Sequence, residues 1–343
     1  MDDSAMTGAT NSLMRIGGSA RVLWLGLAVL LGSVSARAWE VVSYAEREYV
    51  TAESMRVFYG FKTLKRSGNT VELDRPEILM QMAIGQQDCL INGVKFVLSN
   101  KVECVDGKVL LSRIDLVKLI DPVLRPTYIA NAGAFQTVIL DPGHGGKDPG
   151  ATSTLGNEAA YNLTVARKIK GELEKRGFRV VMTRASDIYL TLQERVDLAN
   201  QHKEAVFISI HFNSGGRTAR GIETFTLSPM GVAHYGRGLK PSDFVANTGN
   251  VYDSANVALA TAVHGSVLGR LGKANTFDRG IKRARYSVLT GVRHPSILLE
   301  GGFLSHPTES QLINGARYQD ALALGVAEAI VKYRNAVSRP AGR

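Results

Sequence analysis

The sequence predicts an α/β domain preceded by a smaller α+β module, and three observations carry that reading. From Ala134 onward, apolar runs of strand length alternate with longer amphipathic stretches, the order expected of an α/β sheet covered by helices. Before Pro126 the apolar runs are shorter and are separated by Asn92-Gly93 and Asp106-Gly107, which favour tight hairpin turns. Between the two regions, residues 127–133 end in Ala130-Asn-Ala-Gly133 and read as a linker.

The second region supplies the larger domain, over 134–337, with a short tail at 338–343. Strands are expected over 137–141, 179–183, 205–211, 222–227 and 296–300. Helices are expected over 158–176, with Gly177 as a C-cap, and over 192–201, 255–271 and 318–334. The last has an apolar stripe of Leu322, Val326, Ala329 and Ile330. Residues 228–253 are rich in glycine and polar side chains and read as a long surface loop, functional or mobile. In the first region, 39–126, residues 95–98 alternate like a strand and 112–120 are amphipathic like a short helix. It holds no catalytic cluster, so positioning or binding is its expected role.

Charged residues make up 21% and hydrophobic ones 45%, which excludes a disordered chain. A net charge of +10 points to anionic surroundings. No run of five basic residues and no recognisable nucleic-acid motif is present, so nucleic acid is not an expected partner.

Arg15 and Arg21 precede an apolar core over 22–31, and small residues follow as far as Ala36-Arg-Ala38. This is the pattern of a secretory signal peptide over 1–38, its core too short for a stable membrane span of about 20 residues. A periplasmic or secreted protein is expected. Asp2 and Asp3 are unusual in such a signal, and Met14, directly before Arg15, is an alternative start to Met1. In an oxidising compartment the even pair Cys89 and Cys104 forms either a disulfide or two buried free thiols, and neither cysteine has metal-type spacing.

Four polar residues stand where apolar runs end or helices begin. His144 lies on Pro142-Gly-His-Gly-Gly146 after the first strand, His211 closes the run from Val206, and Glu300 closes the run from Ile297. Glu158 opens the helix after the His144 loop. In an open α/β sheet the carboxyl ends of parallel strands share a rim, where ligands bind. Two histidines and a carboxylate suit zinc with one position open, and a second carboxylate then serves as general base. One histidine at a strand end is more often a satisfied rim residue, and four matched placements argue against that reading for the set.

Leu140-Asp-Pro-Gly-His-Gly-Gly146, Glu158-Ala-Ala-Tyr-Asn-Leu163, Ser209-Ile-His-Phe-Asn213 and Leu299-Glu-Gly-Gly-Phe-Leu-Ser305 resemble the successive signatures of zinc-dependent N-acetylmuramoyl-L-alanine amidases of the amidase_3 type. Thr183-Arg184, residues 192–200 with Arg195, Gly221-Ile-Glu-Thr224, Asp278-Arg-Gly280 and Val288-Leu289 extend the resemblance over 137–333. It implies a mixed, mostly parallel six-stranded sheet flanked by helices, and hydrolysis of the amide joining muramic acid to the stem peptide of peptidoglycan. It also makes His144, Glu158 and His211 the zinc ligands and Glu300 the catalytic carboxylate. Asn213 then touches substrate, steadies His211 or closes the strand end. Asp141 orients a ligand histidine or caps the Pro142 turn, and Arg184 and Arg195 are expected in structural ion pairs.

His306 stands where the family usually has asparagine, and Ala159-Ala160 replaces a lysine and an acidic residue. Residues 228–253 lack the amphipathic period of the autoinhibitory helix found in some relatives, which leaves a lid-like loop. Residues 91–126 weakly resemble stalk-like domains related to the N-terminal domain of copper amine oxidases. An activator protein stays open as a second partner. Two other functions remain in view: a catalytically degenerate wall-binding or regulatory module, and a zinc carboxypeptidase.

Overall fold

The computed structural model describes residues 39–272 and 276–338. The expected signal peptide over 1–38 and all but the first residue of the expected tail lie outside them. The first region forms β1 (Val41–Tyr44), β2 (Arg47–Thr51), α1 (Ala52–Tyr59), β3 (Thr63–Ser67), β4 (Thr70–Arg75), β5 (Ile78–Ala83), β6 (Asp88–Ile91), β7 (Val94–Val97), β8 (Glu103–Val105) and β9 (Lys108–Ser112). A helical segment follows: α2 (Arg113–Asp115), a π-helical stretch (Leu116–Ile120) and α3 (Asp121–Leu124). Both expected hairpins form. Asn92 and Gly93 take φ of 51° and 76°, and Asp106 and Gly107 take 49° and 77°, so each turn uses two left-handed residues.

The second region forms β10 (Thr137–Pro142), the two-residue strands β11 (Thr152–Ser153) and β12 (Gly156–Asn157), α4 (Glu158–Glu174), β13 (Arg179–Met182), α5 (Leu192–Asn200), β14 (Ala205–Asn213) and β15 (Ile222–Leu227). It continues with α6 (Asp253–Leu271), β16 (Asp278–Ala284), α7 (Ser287–Gly291), β17 (Ser296–Phe303), α8 (Pro307–Asn314) and α9 (Ala316–Val337). Strands β13, β10, β14, β17, β15 and β16 lie side by side in that order; the first four are parallel, and β15 and β16, parallel to each other, run against them. This is the expected mixed six-stranded sheet. Period-two alternation along β14 sends Val206, Ile208, Ile210 and Phe212 into the core shared with α4, α6 and α9. Phe207 points to the other face, with Val196 of α5 and Leu289 of α7.

Two features depart from expectation. Residues 278–284 were not expected as a strand, because Asp-Arg-Gly-Ile-Lys-Arg-Ala lacks apolar alternation. Its cations are buried beside polar partners instead: Lys282 against Glu223, and Arg283 against Ser99 and Asp115. Nor does the sheet stop at six strands. On the far side of β16 it continues through β7, β6, β5, β4 and β3, joined by a parallel pairing at Ile281 and Phe96. Strands so far apart in sequence leave no local signal of their pairing. A second sheet, β1-β2-β9-β8, packs the rest of the first region.

Residues 228–253 are held firmly. Arg285 donates to Asp243 Oδ1 at 2.8 Å and to the carbonyls of Ser228, Pro229, Val232 and Asp243 at 2.9–3.2 Å. Arg237 grips the same carboxylate through two bonds of 2.7 Å. Because β15 runs against β17, this segment leaves the sheet at the rim opposite the one that bears Glu300. The clamp corrects the expectation of a mobile loop, and Tyr235 of the same segment returns to place its ring centroid 4.3 Å from Lys282 Nζ.

Cys89, on β6, and Cys104, on β8 of the other sheet, are free thiols. Cys89 is buried, which pushes its thiol pKa up, and Cys104 Sγ accepts from Arg66 Nη1 at 3.3 Å. Among the described residues no helix is long and apolar enough to cross a membrane.

Asp243→Asn should loosen residues 228–253 and cost about 1–3 kcal/mol, since it removes the counter-charge that Arg237 and Arg285 share. Urea unfolding measures the loss, and limited proteolysis should cut the variant in this segment first. The Arg237 fork holds the Asp243 carboxyl below its usual range. Its contribution is therefore present above the unfolded pKa of about 3.9 and disappears as pH falls toward the folded value.

Candidate active site

The site begins where β10 ends. Asp141 is buried and accepts from Thr183 Oγ1 at 2.6 Å, Ser209 Oγ at 2.9 Å and Arg195 Nη1 at 2.8 Å. At Pro142-Gly143 the strand pairing breaks and carbonyls lose their ladder partners. Arg195 takes those of Pro142 and His144 at 2.8 and 2.7 Å, and Arg184 takes those of Pro142, Gly143 and Ala159 at 2.8–2.9 Å. Asp141 thus anchors the arginine that shapes the turn, and makes no hydrogen bond to His144 or His211. Arg195 makes the expected ion pair, whereas Arg184 serves backbone carbonyls.

The glycines of this turn are needed for space. A Cβ on Gly143 would lie 2.1 Å from the His211 ring, and one on Gly150 would lie 2.6 Å from Glu158 Oε2 and 2.7 Å from His144 Cδ2. His144 itself adopts φ of 60°, which turns its ring inward over this gap.

Glu158 is the first residue of α4, fixed by the Asn157 N-cap. Its Oε2 accepts from Ala151 N at 2.9 Å and its Oε1 from Phe212 N at 3.2 Å. Oε1 also lies 2.8 Å from His211 Nδ1 and 3.2 Å from His144 Nε2. One ligand atom from each of His144, Glu158 and His211 falls within 4.8 Å of the others. Burial raises the Glu158 carboxyl pKa, but the hydrogen bonds from His144 and His211 outweigh it and hold the group well below the usual carboxylate range. The hydrogen bond to Glu158 likewise raises His144. On its other side, His144 Nδ1 meets Asp148 Oδ2 at 2.8 Å, an orienting carboxylate that sequence reasoning did not single out. Two imidazoles and a carboxylate form a donor set that fits a borderline-soft divalent ion such as zinc.

Strand register brings in the fourth residue. His211 pairs with Glu300 across β14 and β17, and Glu300 pairs with Glu223 across β17 and β15. All three lie on the face that also carries Phe207, Leu298 and Phe225. Glu300 is buried and its Oε2 has no hydrogen-bond partner. Burial, with Glu158 and Glu223 nearby, raises its pKa well above the usual value.

Glu223 carries its own counter-charges. Its Oε1 accepts from Lys282 Nζ at 2.6 Å and from Arg279 Nε, and its Oε2 from Asn213 Nδ2 at 3.1 Å. Asn213 Oδ1 accepts from Ser214 N at 2.7 Å. Asn213 therefore closes the strand end and ties it to Glu223 without steadying His211. Glu223, Arg279 and Lys282 were not read as site residues. The signal for Glu223 and Arg279 was the polar residues in Gly221-Ile-Glu-Thr224 and Asp278-Arg-Gly280, and Lys282 had none. His306 caps α8, accepting from Glu309 N at 3.3 Å.

Comparison with known proteins places this arrangement in a family. The chain is 32% identical over 223 residues to N-acetylmuramoyl-L-alanine amidase AmiC of Neisseria meningitidis serogroup B, covering 59% of this chain and 54% of that protein. It is 30% identical over 242 residues to AmiC of Escherichia coli O6:H1, covering 64% and 58%. The chain spans a little over half the length of these two relatives. A crystal structure of N-acetylmuramoyl-L-alanine amidase from Clostridium difficile 630 aligns with a TM-score of 0.49 at 33% identity, covering 59% of this chain and 98% of that one. The family model described as Amidase_3, N-acetylmuramoyl-L-alanine amidase, matches residues 138–332. With more than half of its length matched, the chain belongs to the Amidase_3 family of N-acetylmuramoyl-L-alanine amidases.

Proposed function

We propose that this protein is an exported zinc amidase that hydrolyses the amide between N-acetylmuramic acid and L-alanine of peptidoglycan stem peptides. The observation that carries the reading is the convergence of His144, Glu158 and His211 beside the buried, unpartnered carboxyl of Glu300. His144, Glu158 and His211 are the residues that would hold zinc. When bound, zinc supplies Lewis acidity, polarising the scissile carbonyl and lowering the pKa of water to about 7.

Glu300 does the proton work. Its free Oε2 accepts the proton of the attacking water and returns it to the leaving amine nitrogen. A carboxyl whose pKa is raised by burial is better matched to that exchange near neutral pH than an exposed one. Asp148 fixes the ring of His144 from behind. The excess of basic residues favours approach to an anionic wall polymer, and the signal-like N-terminus fits work outside the cytoplasm.

Incubation with soluble muropeptides and zinc tests the reading. Stem peptides with a free L-alanine N-terminus are expected. Release of a C-terminal amino acid would make the protein a carboxypeptidase, and binding without cleavage would make it a wall-binding module. Glu300→Gln should keep its metal and lose about 10²–10⁴-fold in turnover, and unchanged turnover would reject the assigned role. His211→Ala should lose bound zinc by elemental analysis. Gly143→Ala, which touches no metal, should still weaken zinc binding by about 10–100-fold by pushing the His211 ring aside.

A further inference from the structure

Two β-bulges flank Glu223. Between Ile222 and Thr224 the register on β16 moves from Asp278 to Ile281, two steps against three. Between His211 and Asn213 the register on β17 moves from Glu300 to Phe303, again two against three. A bulge bends its strand and re-aims the side chain at the extra residue. On β16 it sends Asp278 to the helix-covered face, where Oδ1 meets His264 Nε2 at 2.9 Å, and Arg279 to Glu223 on the other face. On β17 it brings Phe303 beneath Arg279, with the guanidinium carbon 4.8 Å from the ring centroid.

Two cations meet one oxygen of Glu223, and one of them keeps its charge open to solvent. Lys282 is 3% exposed and lies 4.3 Å from the centroid of the Tyr235 ring, so it does not present that charge to solvent. Arg279 does: its side chain is 30% exposed, Glu223 holds its Nε, and its terminal nitrogens have no hydrogen-bond partner among the described residues. Glu223 pairs directly with Glu300, so the guanidinium stands at the same rim, on the second strand beyond the reacting carboxyl. A planar guanidinium held at one edge and stacked on an aromatic ring is pre-organised to grip a carboxylate.

We propose that Arg279 is a specificity-determining residue that binds a free carboxylate on the peptide of the substrate. The inference rests on the amidase reading above and names what that site selects: an acidic stem peptide over the same peptide with its carboxyl groups amidated.

Steady-state kinetics on two soluble muropeptides that differ only in amidation of the stem carboxyls test it. The wild-type protein should prefer the acidic form by about tenfold in kcat/KM, mostly through KM, as expected for one charge-assisted hydrogen-bonded contact. Arg279→Gln should erase the preference, and Arg279→Lys, which keeps charge without the fork, should retain part of it. A wild-type ratio near one overturns the inference without any variant having to fold, and a ratio that survives in Arg279→Gln overturns it equally. If the wild-type protein cleaves neither substrate, the amidase reading falls and takes this inference with it. If it cleaves both alike, only the inference falls.

Discussion

A carboxylate buried at the end of a strand holds this site in place. Asp141 sits where β10 stops, with 1% of its surface exposed, and three neighbours donate to it from β14, from the residue after β13 and from α5. Burying an ion pair costs several kcal/mol per charge unless every remaining donor and acceptor is matched. Here the matching is extensive. The Arg195 guanidinium that neutralises Asp141 also takes the carbonyls released by the Pro142-Gly143 break, and Arg184 takes the others. The His144 turn is thus fixed from beneath by charged groups that never touch a reacting atom. His144 and its neighbours inherit their placement from this layer.

His144, Glu158, His211 and Glu300 stood out in the sequence because each follows or closes an apolar run or opens a helix, although β14 and β17 continue past His211 and Glu300 to Asn213 and Phe303. Five of the six strands were legible for a related reason, since apolar runs of strand length stand out in any context, and the sixth was implied only by the family resemblance. What could not be read depends on contacts between distant segments. Asp141 and Asn213 were weighed as neighbours of the metal ligands, yet their partners are Arg195 and Glu223, chosen by register across strands. β16 was hidden because its buried positions are cationic, and a buried lysine announces itself only through the glutamate opposite. Residues 228–253 looked loose because the arginine that clamps them, Arg285, lies more than thirty residues beyond the segment in sequence.

The row His211, Glu300, Glu223 shows how register converts a one-dimensional pattern into chemistry. Three neighbouring strands place one polar side chain each on the same face, at the same height. The first belongs to the His144, Glu158 and His211 cluster, the second is buried with its Oε2 unpartnered, and the third is saturated by two cations and an amide. Two carboxyl groups one strand apart therefore have opposite environments. After burial, the charges of Glu158 and Glu223 both repel one on Glu300 and raise its pKa. Lys282 opposes them, and pulls the Glu300 pKa back down.

β16 hydrogen-bonds to the catalytic sheet on one side and to the first region on the other. Separating the two regions at residues 127–133 would therefore not release two finished domains. Each fragment would carry a raw strand edge, β16 on one and β7 on the other, and open edges of this kind recruit other chains. Arg283, buried against Ser99 and Asp115 of the first region, would be left without those partners as well. The first region thus serves as the protective margin of the sheet that bears His211 and Glu300.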